Sequence, residues 1–137
     1  YDIDAVKVVH DFGSSMNRAV DLGQVEGGIV QGIGWMTMEE IIYNEEGKLL
    51  SNALSTYKIP DIYAVPKILD VKFLNTDGNS MAILKSKAVG EPPLMYGIGA
   101  YFAIRNAVLA FNPASDISYS APITPEKVLM GLYSNGK

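Results

Sequence analysis

The chain has 137 residues, 48% of them hydrophobic and 19% charged, with a net charge of −4 and no cysteine. That length can bury a core, but the charge lies below the quarter typical of a small domain, so part of the apolar surface is expected to be covered by something else. The eleven Lys and Arg are scattered, which excludes a phosphate-binding stripe and hence nucleic acid; the missing cysteines exclude disulfides, thiolate metal ligands and cysteine nucleophiles.

In chain order, Val6 to Asp11 reads as a strand, with Val6, Val8 and Val9 β-branched and Gly13 as a stop. Residues 11–17 read as a loop of small and polar residues. A helix is expected from near Asp21 to about Glu40, with Asp21 and Gln24 spaced as a capping box. It holds Gly23, Gly27, Gly28, Gly32 and Gly34, and each glycine costs about 1 kcal/mol relative to alanine inside a helix. Gly23 and Gly27 share one face, as do Gly28 and Gly32. Such faces admit a close backbone or a ligand, and tight packing is the plainer explanation.

Tyr43 to Leu50 suggests two short strands around a turn at residues 45–48. Ile68 to Leu74 alternates as a strand, and Asp77-Gly78 marks a turn. From Leu94 to Phe111 runs a helix whose only ionised residue is Arg105, a pattern expected of a buried helix. A last helix starts at Thr124-Pro125-Glu126, with threonine as cap and proline in the first turn. The expected fold is α+β: a mixed sheet with a glycine-rich helix and a buried apolar helix. Residues 1–137 are taken as a single domain or a fragment of a larger one. No apolar stretch of membrane-spanning length runs without polar or charged interruption, so no membrane partner is expected.

Few residues suggest chemistry. His10 is the only histidine, and without a second histidine or a cysteine it reads as structural; no metal-ligand set is expected. Asp4, Asp11 and Asp21 read as turn and cap residues. Gly32-Ile33-Gly34 lies within a helix and lacks the third glycine of a dinucleotide fingerprint. Glu91 follows Gly90 and precedes two prolines and the apolar helix. An apolar wall would desolvate it and fit it to act as a base. The plainer reading is a glutamate at a helix start.

Longer motifs decide between these. The stretch Ser86-Lys87-Ala88-Val89-Gly90-Glu91-Pro92-Pro93-Leu94 resembles a segment near the C-terminus of the xanthine dehydrogenase and aldehyde oxidase family. Asp11-Phe12-Gly13-Ser14-Ser15-Met16-Asn17 is similar to the family's aspartate-glycine-asparagine loop, and residues 21–28 with Val30-Gln31-Gly32 to its glutamine-glycine helix. Ser55 to Pro60 and Thr124 to Lys127 also match, in the family's order. Arg18 stands where the family commonly has proline, a departure confined to the loop.

The resemblance implies that Glu91 is the catalytic base and that Gln24 contacts a molybdenum–pterin cofactor (molybdopterin, with or without a nucleotide). It places Val89 and Gly90 beside the base. It also implies iron–sulfur clusters and FAD on other domains or subunits, and a cytoplasmic location. The reaction implied is hydroxylation of a purine-like heteroaromatic or an aldehyde. A full molybdenum subunit is several times longer, so the upstream part, or a separate chain, is an expected partner. The alternative is a non-catalytic assembly or interaction module. A third possibility, a small ligand-binding domain, would require a pocket formed by this chain alone.

Overall fold

A computed structural model describes residues 1–74, 76 and 81–133; the Asp77-Gly78 turn lies outside the described residues. The elements are β1 (Ala5–His10), α1 (Arg18–Thr37), β2 (Ile68–Phe73), α2 (Ile98–Phe111) and α3 (Pro125–Tyr133). Single 3-10 turns occupy Ile62–Ala64 and Ile83–Lys85, and a longer one, Pro92–Gly97, leads into α2. The architecture is α+β.

β1 and β2 form a two-stranded parallel sheet, with Ala5 opposite Ile68 and His10 opposite Phe73. Parallel strands need a crossover, and α1 supplies it. Val25, Ile29 and Ile33 recur every four residues on α1, so they line one face, and all three are buried. That face packs on Val6 and Val8 of β1 and on Leu69, Val71 and Phe73 of β2. Full burial of such side chains stabilises by about 1.5–3 kcal/mol each. A second cluster joins Met36 to Tyr101 and Val108 of α2 and to Ile117 and Ile123.

The α1 helix starts earlier than its sequence suggests. Asn17 is the cap, its Oδ1 accepting from the Val20 N–H at 3.2 Å, while Asp21 lies in the first turn and accepts from the Ser15 hydroxyl. The capping box assigned to Asp21 and Gln24 is therefore wrong. Ser, Asn and Asp all cap well, and the loop's turn at Gly13 (φ 74°) delivers Asn17 to that place first. The strands expected over 43–50 reduce to one antiparallel bridge, Tyr43 with Leu49, around Gly47. Thr124 caps α3 as expected, its hydroxyl accepting from the Lys127 N–H.

The apolar helix is the other departure. Within this chain only Tyr101 and Val108 of α2 are buried, and Phe102 and Phe111 are exposed. Pro92–Phe111 is also long and apolar enough, by length and composition, to cross a membrane, though Arg105 and Asn106 interrupt it. Its close contact with α1 at Gly97 and the bond from Arg105 to the Ile117 carbonyl are those of a helix packed within protein. Ile62, Tyr63, Leu54 and Met81 are exposed too. This much bare apolar surface is what the low charge content foretold.

Candidate functional site

The loop that ends β1 is stitched to the segment that carries Glu91. The Lys87 N–H donates to the Phe12 carbonyl (2.6 Å) and the Ser14 N–H to the Lys85 carbonyl (3.0 Å). Gly13 and Ser86 form an antiparallel bridge. A Cβ on Gly13 would lie 2.1 Å from the Lys85 carbonyl oxygen, so only glycine allows this approach.

Asp11 locks the arrangement. Its Oδ1 accepts from the Gly13 N–H (3.0 Å) and the Thr76 hydroxyl (2.6 Å), and its Oδ2 from Lys87 Nζ (2.5 Å). The hydrogen bond from Lys87, then those from Thr76 and Gly13, hold the carboxyl down at about 2. A depressed folded pKa stabilises above the ordinary value of ~3.9, and that stability is lost as pH falls through the folded value. The Asp11 carboxylate is therefore ionised at neutral pH, and the stability it lends the stitch is lost as pH falls through about 2. Carbon-13 NMR of the Asp11 carboxyl is expected to show a midpoint near 2, moving up toward the ordinary value in Lys87→Ala; a midpoint near 4 in the unaltered chain would contradict the contact.

His10 fastens the same segment one step further on. It is 4% exposed. The Tyr96 hydroxyl donates to Nδ1 (2.5 Å), and Nε2 reaches the Ala88 carbonyl (3.4 Å). These partners suit the tautomer protonated on Nε2. A structural histidine is what its isolation in the sequence suggested. Its partners, nearly eighty or more residues away, left no spacing signal.

Across from this segment stands α1. A Cβ on Gly28 would meet Pro93 Cβ at 2.8 Å and the Gly90 carbonyl oxygen at 3.2 Å. A Cβ on Gly32 would fall 2.1 Å from the Leu94 carbonyl oxygen, and one on Gly97 2.1 Å from the Gly32 carbonyl carbon. The Gly28–Gly32 face thus exists for backbone packing against Gly90–Gly97. The Gly23–Gly27 face differs: a Cβ at either position meets nothing within 4 Å. It is an open, side-chain-free strip with Gln24 beside it.

Gln24 and Gly90 meet. The side-chain oxygen of Gln24 lies 3.3 Å from where a Cβ on Gly90 would be, so the amide sits over the residue that precedes Glu91. Both Gln24 and Glu91 are exposed, and the Glu91 carboxylate makes no capping hydrogen bond. The apolar wall expected to desolvate Glu91 is not supplied by this chain, because the helix that follows turns its packed side onto α1. Val89 is half-buried and packs against the Val25, Ile29 and Ile33 cluster, its side chain directed into the core.

Three of the five motifs therefore converge: the 11–17 loop, the glutamine-glycine helix and the 86–94 segment. The other two gather toward the far end of α1, where Gly34 takes the Pro60 ring, Tyr57 donates to Glu39 (2.6 Å), and Lys127 pairs with Glu40. Gln24 and Gly34 are ~15 Å apart along the helix, at about 1.5 Å per residue. Sequence reasoning missed Lys87, Thr76 and Tyr96, whose roles arise only from long-range contacts. Among the described residues no group of three or more His, Cys, Asp or Glu gathers as a metal site.

A separate hollow lies elsewhere. About 960 Å³ in volume, it runs between β1, α2 and α3, and none of Gln24, Val89, Gly90 or Glu91 lines it.

Comparison with known proteins accords with the motif geometry. A sequence model of the molybdopterin cofactor-binding domain matches residues 1–66. The xanthine dehydrogenase/oxidase of Rattus norvegicus is 45% identical over 127 residues, covering 88% of this chain and 10% of its own length. The xanthine dehydrogenase of Drosophila subobscura is 38% identical over 134 residues, covering 95% of this chain and 10% of its own. Among solved structures, quinoline 2-oxidoreductase from Pseudomonas putida 86 superposes with a TM-score of 0.77 at 32% identity, over 90% of this chain and 15% of that one. The aldehyde oxidoreductase from Desulfovibrio gigas gives 0.66 at 29% identity, over 96% and 13%. The chain spans about a tenth of the length of the curated relatives it matches. With these motifs packed together as described, the chain belongs to the xanthine dehydrogenase and aldehyde oxidase family of molybdenum hydroxylases, as one segment of its molybdopterin-binding part.

Proposed function

We propose that this chain contributes one wall of a molybdenum-hydroxylase active site, with Glu91 as the catalytic base and Gln24 as a contact to the pterin. The observation that carries this reading is the meeting of Gln24 with Gly90 directly before the exposed Glu91, beside the open Gly23–Gly27 strip. A flat cofactor needs such a strip, free of side chains, and an amide that both donates and accepts suits the edge of a pterin. Gly90 presents its backbone there. Val89 contributes through its backbone alone, since its side chain packs inward.

When bound, the molybdenum–pterin group supplies the two-electron oxidation. The Glu91 carboxylate takes the proton that hydroxylation by water releases, and the closing of the site by the rest of the subunit provides the low-dielectric wall this chain lacks. Lys87, Asp11 and His10 hold the Glu91 segment in place without touching the reaction. The substrate is a purine-like heteroaromatic or an aldehyde. The iron–sulfur and flavin carriers sit on other domains or subunits, in a cytoplasmic enzyme.

The test is the molybdenum content of the complex recovered with this chain from its source. Close to one metal per complex is expected; an intact complex without metal would favour the assembly-module alternative. A second experiment separates the strip from ordinary packing. In Gly27→Ala the new methyl has room within this chain, and helix propensity alone favours it by about 1 kcal/mol. The cofactor reading expects this variant to lose molybdenum while its metal-free melting temperature holds or rises. Full retention of metal would remove the strip from the cofactor site.

A further inference from the structure

The hollow between β1, α2 and α3 is a groove along a strand edge. Every residue from Tyr1 to Val8 lines it. Side chains of a strand alternate between two faces, so a groove that touches eight consecutive residues touches the backbone edge. Four of the eight, Ala5 to Val8, belong to β1, and at about 3.3 Å per residue that part of the edge is ~13 Å long.

The hydrogen-bond pattern identifies which groups face it. Asp4 and His10 accept from Ile68 and Leu74 of the neighbouring strand. In a parallel ladder, alternate residues make all the bonds to one neighbour. The even-numbered residues of β1 therefore serve β2, and the N–H and C=O groups of Ala5 and Lys7 point to the other edge. Among the described residues β1 pairs with β2 alone.

The opposite wall is built for close approach. Gly99, Ala103 and Ala107 stand one turn apart on α2 and present almost no side chain. Ile29 and Ile33 of α1 also line the groove, as do Val128 and Leu132 of α3. An apolar helix laid here would cover the wall yet leave the Ala5 and Lys7 backbone groups buried without partners, at about 1–3 kcal/mol for each. A strand satisfies both demands. Parallel strands are found buried within larger sheets, and two strands alone are marginal. Some nine-tenths of the length of the curated relatives lies outside the region this chain matches, and that remainder is the source of the missing strand.

We propose that β1 is an interior strand of the assembled protein, its free edge paired with an apolar β-strand from the rest of the molybdenum subunit. The strand lies between β1 and the small-residue row of α2. The proposal concerns assembly and does not depend on Glu91 or on turnover.

Hydrogen exchange read at single residues, on the purified enzyme that contains this chain, is the test. Among the described residues the Ala5 and Lys7 amides have no partner, yet in the assembled enzyme they are expected to exchange slower by about two orders of magnitude or more than open amides. A photoreactive aliphatic residue at Ala103 in the same complex identifies the occupant by cross-linking. An apolar, alternating segment outside residues 1–137 supports the proposal. Free exchange at both amides overturns it, as does cross-linking to a second copy of this chain or to a helix. Loss of activity with both amides still protected would count against the proposed catalytic reading and leave the strand in place.

Discussion

Replacing Glu91 by glutamine in the assembled enzyme is expected to lower kcat by about 100-fold or more, the usual contribution of a positioned base. The substitution keeps the shape of the side chain and removes only its ability to take a proton. It breaks no capping hydrogen bond, because the Glu91 carboxylate makes none. Molybdenum content and KM are therefore expected to stay close to those of the unaltered enzyme. Glu91→Asp shortens the reach by one methylene and should recover part of the rate, since proton transfer depends on hydrogen-bond distance. Steady-state kinetics on metal-loaded protein decides the matter. Unchanged kcat in the glutamine variant would leave this segment with a structural role and favour the assembly-module alternative.

Gly32→Ala is expected to be among the most damaging small substitutions in the described residues. Its methyl would lie 2.1 Å from the Leu94 carbonyl oxygen and 3.1 Å from the Gly97 α-carbon. Those atoms are backbone, and Gly97 meets Gly32 just as closely from the other side. No side chain can rotate away, so α1 and the 92–97 turn must separate. Overpacking in a fitted interior costs about 1–3 kcal/mol, set against about 1 kcal/mol gained in helix propensity, and here the contact is tighter than usual. A fall of several degrees in the melting temperature of the complex is expected, with less assembled protein recovered. The separation would also shift Gly90, and with it Glu91, so activity per metal should fall as well. Gly27→Ala, five residues away on the open face, is the matched control for melting of the metal-free protein. If both variants melt alike, backbone packing is not what holds the Glu91 segment against α1.

Much of this was legible in the sequence. The alternation of Val6 and Val8 and of Leu69, Val71 and Phe73 gave both strands, because a period of two follows from local geometry and needs no knowledge of the partner. Val25, Ile29 and Ile33 stood in an apolar run of α1, and only the packing showed that they line its buried face. Motif order gave the family and the candidate residues Glu91, Gln24 and Gly90. Spacing also showed that the helix glycines fall on two faces, without showing that the faces differ. Only the packing decided that Gly28 and Gly32 receive the Pro92–Gly97 turn while Gly23 and Gly27 stay open.

Tertiary structure also settled what local rules leave degenerate. Asn17 and Asp21 cap equally well on paper, and the stitched 11–14 loop chose Asn17. The apolar helix read as buried because periodicity reports that a face is to be covered; it does not say by which chain. Lys87 on Asp11 and Tyr96 on His10 join residues more than seventy positions apart, pairings that no window of sequence contains. Local periodicity and motif spacing thus determined the elements, the family and the candidate base. The placement of Gln24 over Gly90, the open strip, and the free edge of β1 were decided only when distant segments packed, because each depends on which backbone lies across the gap.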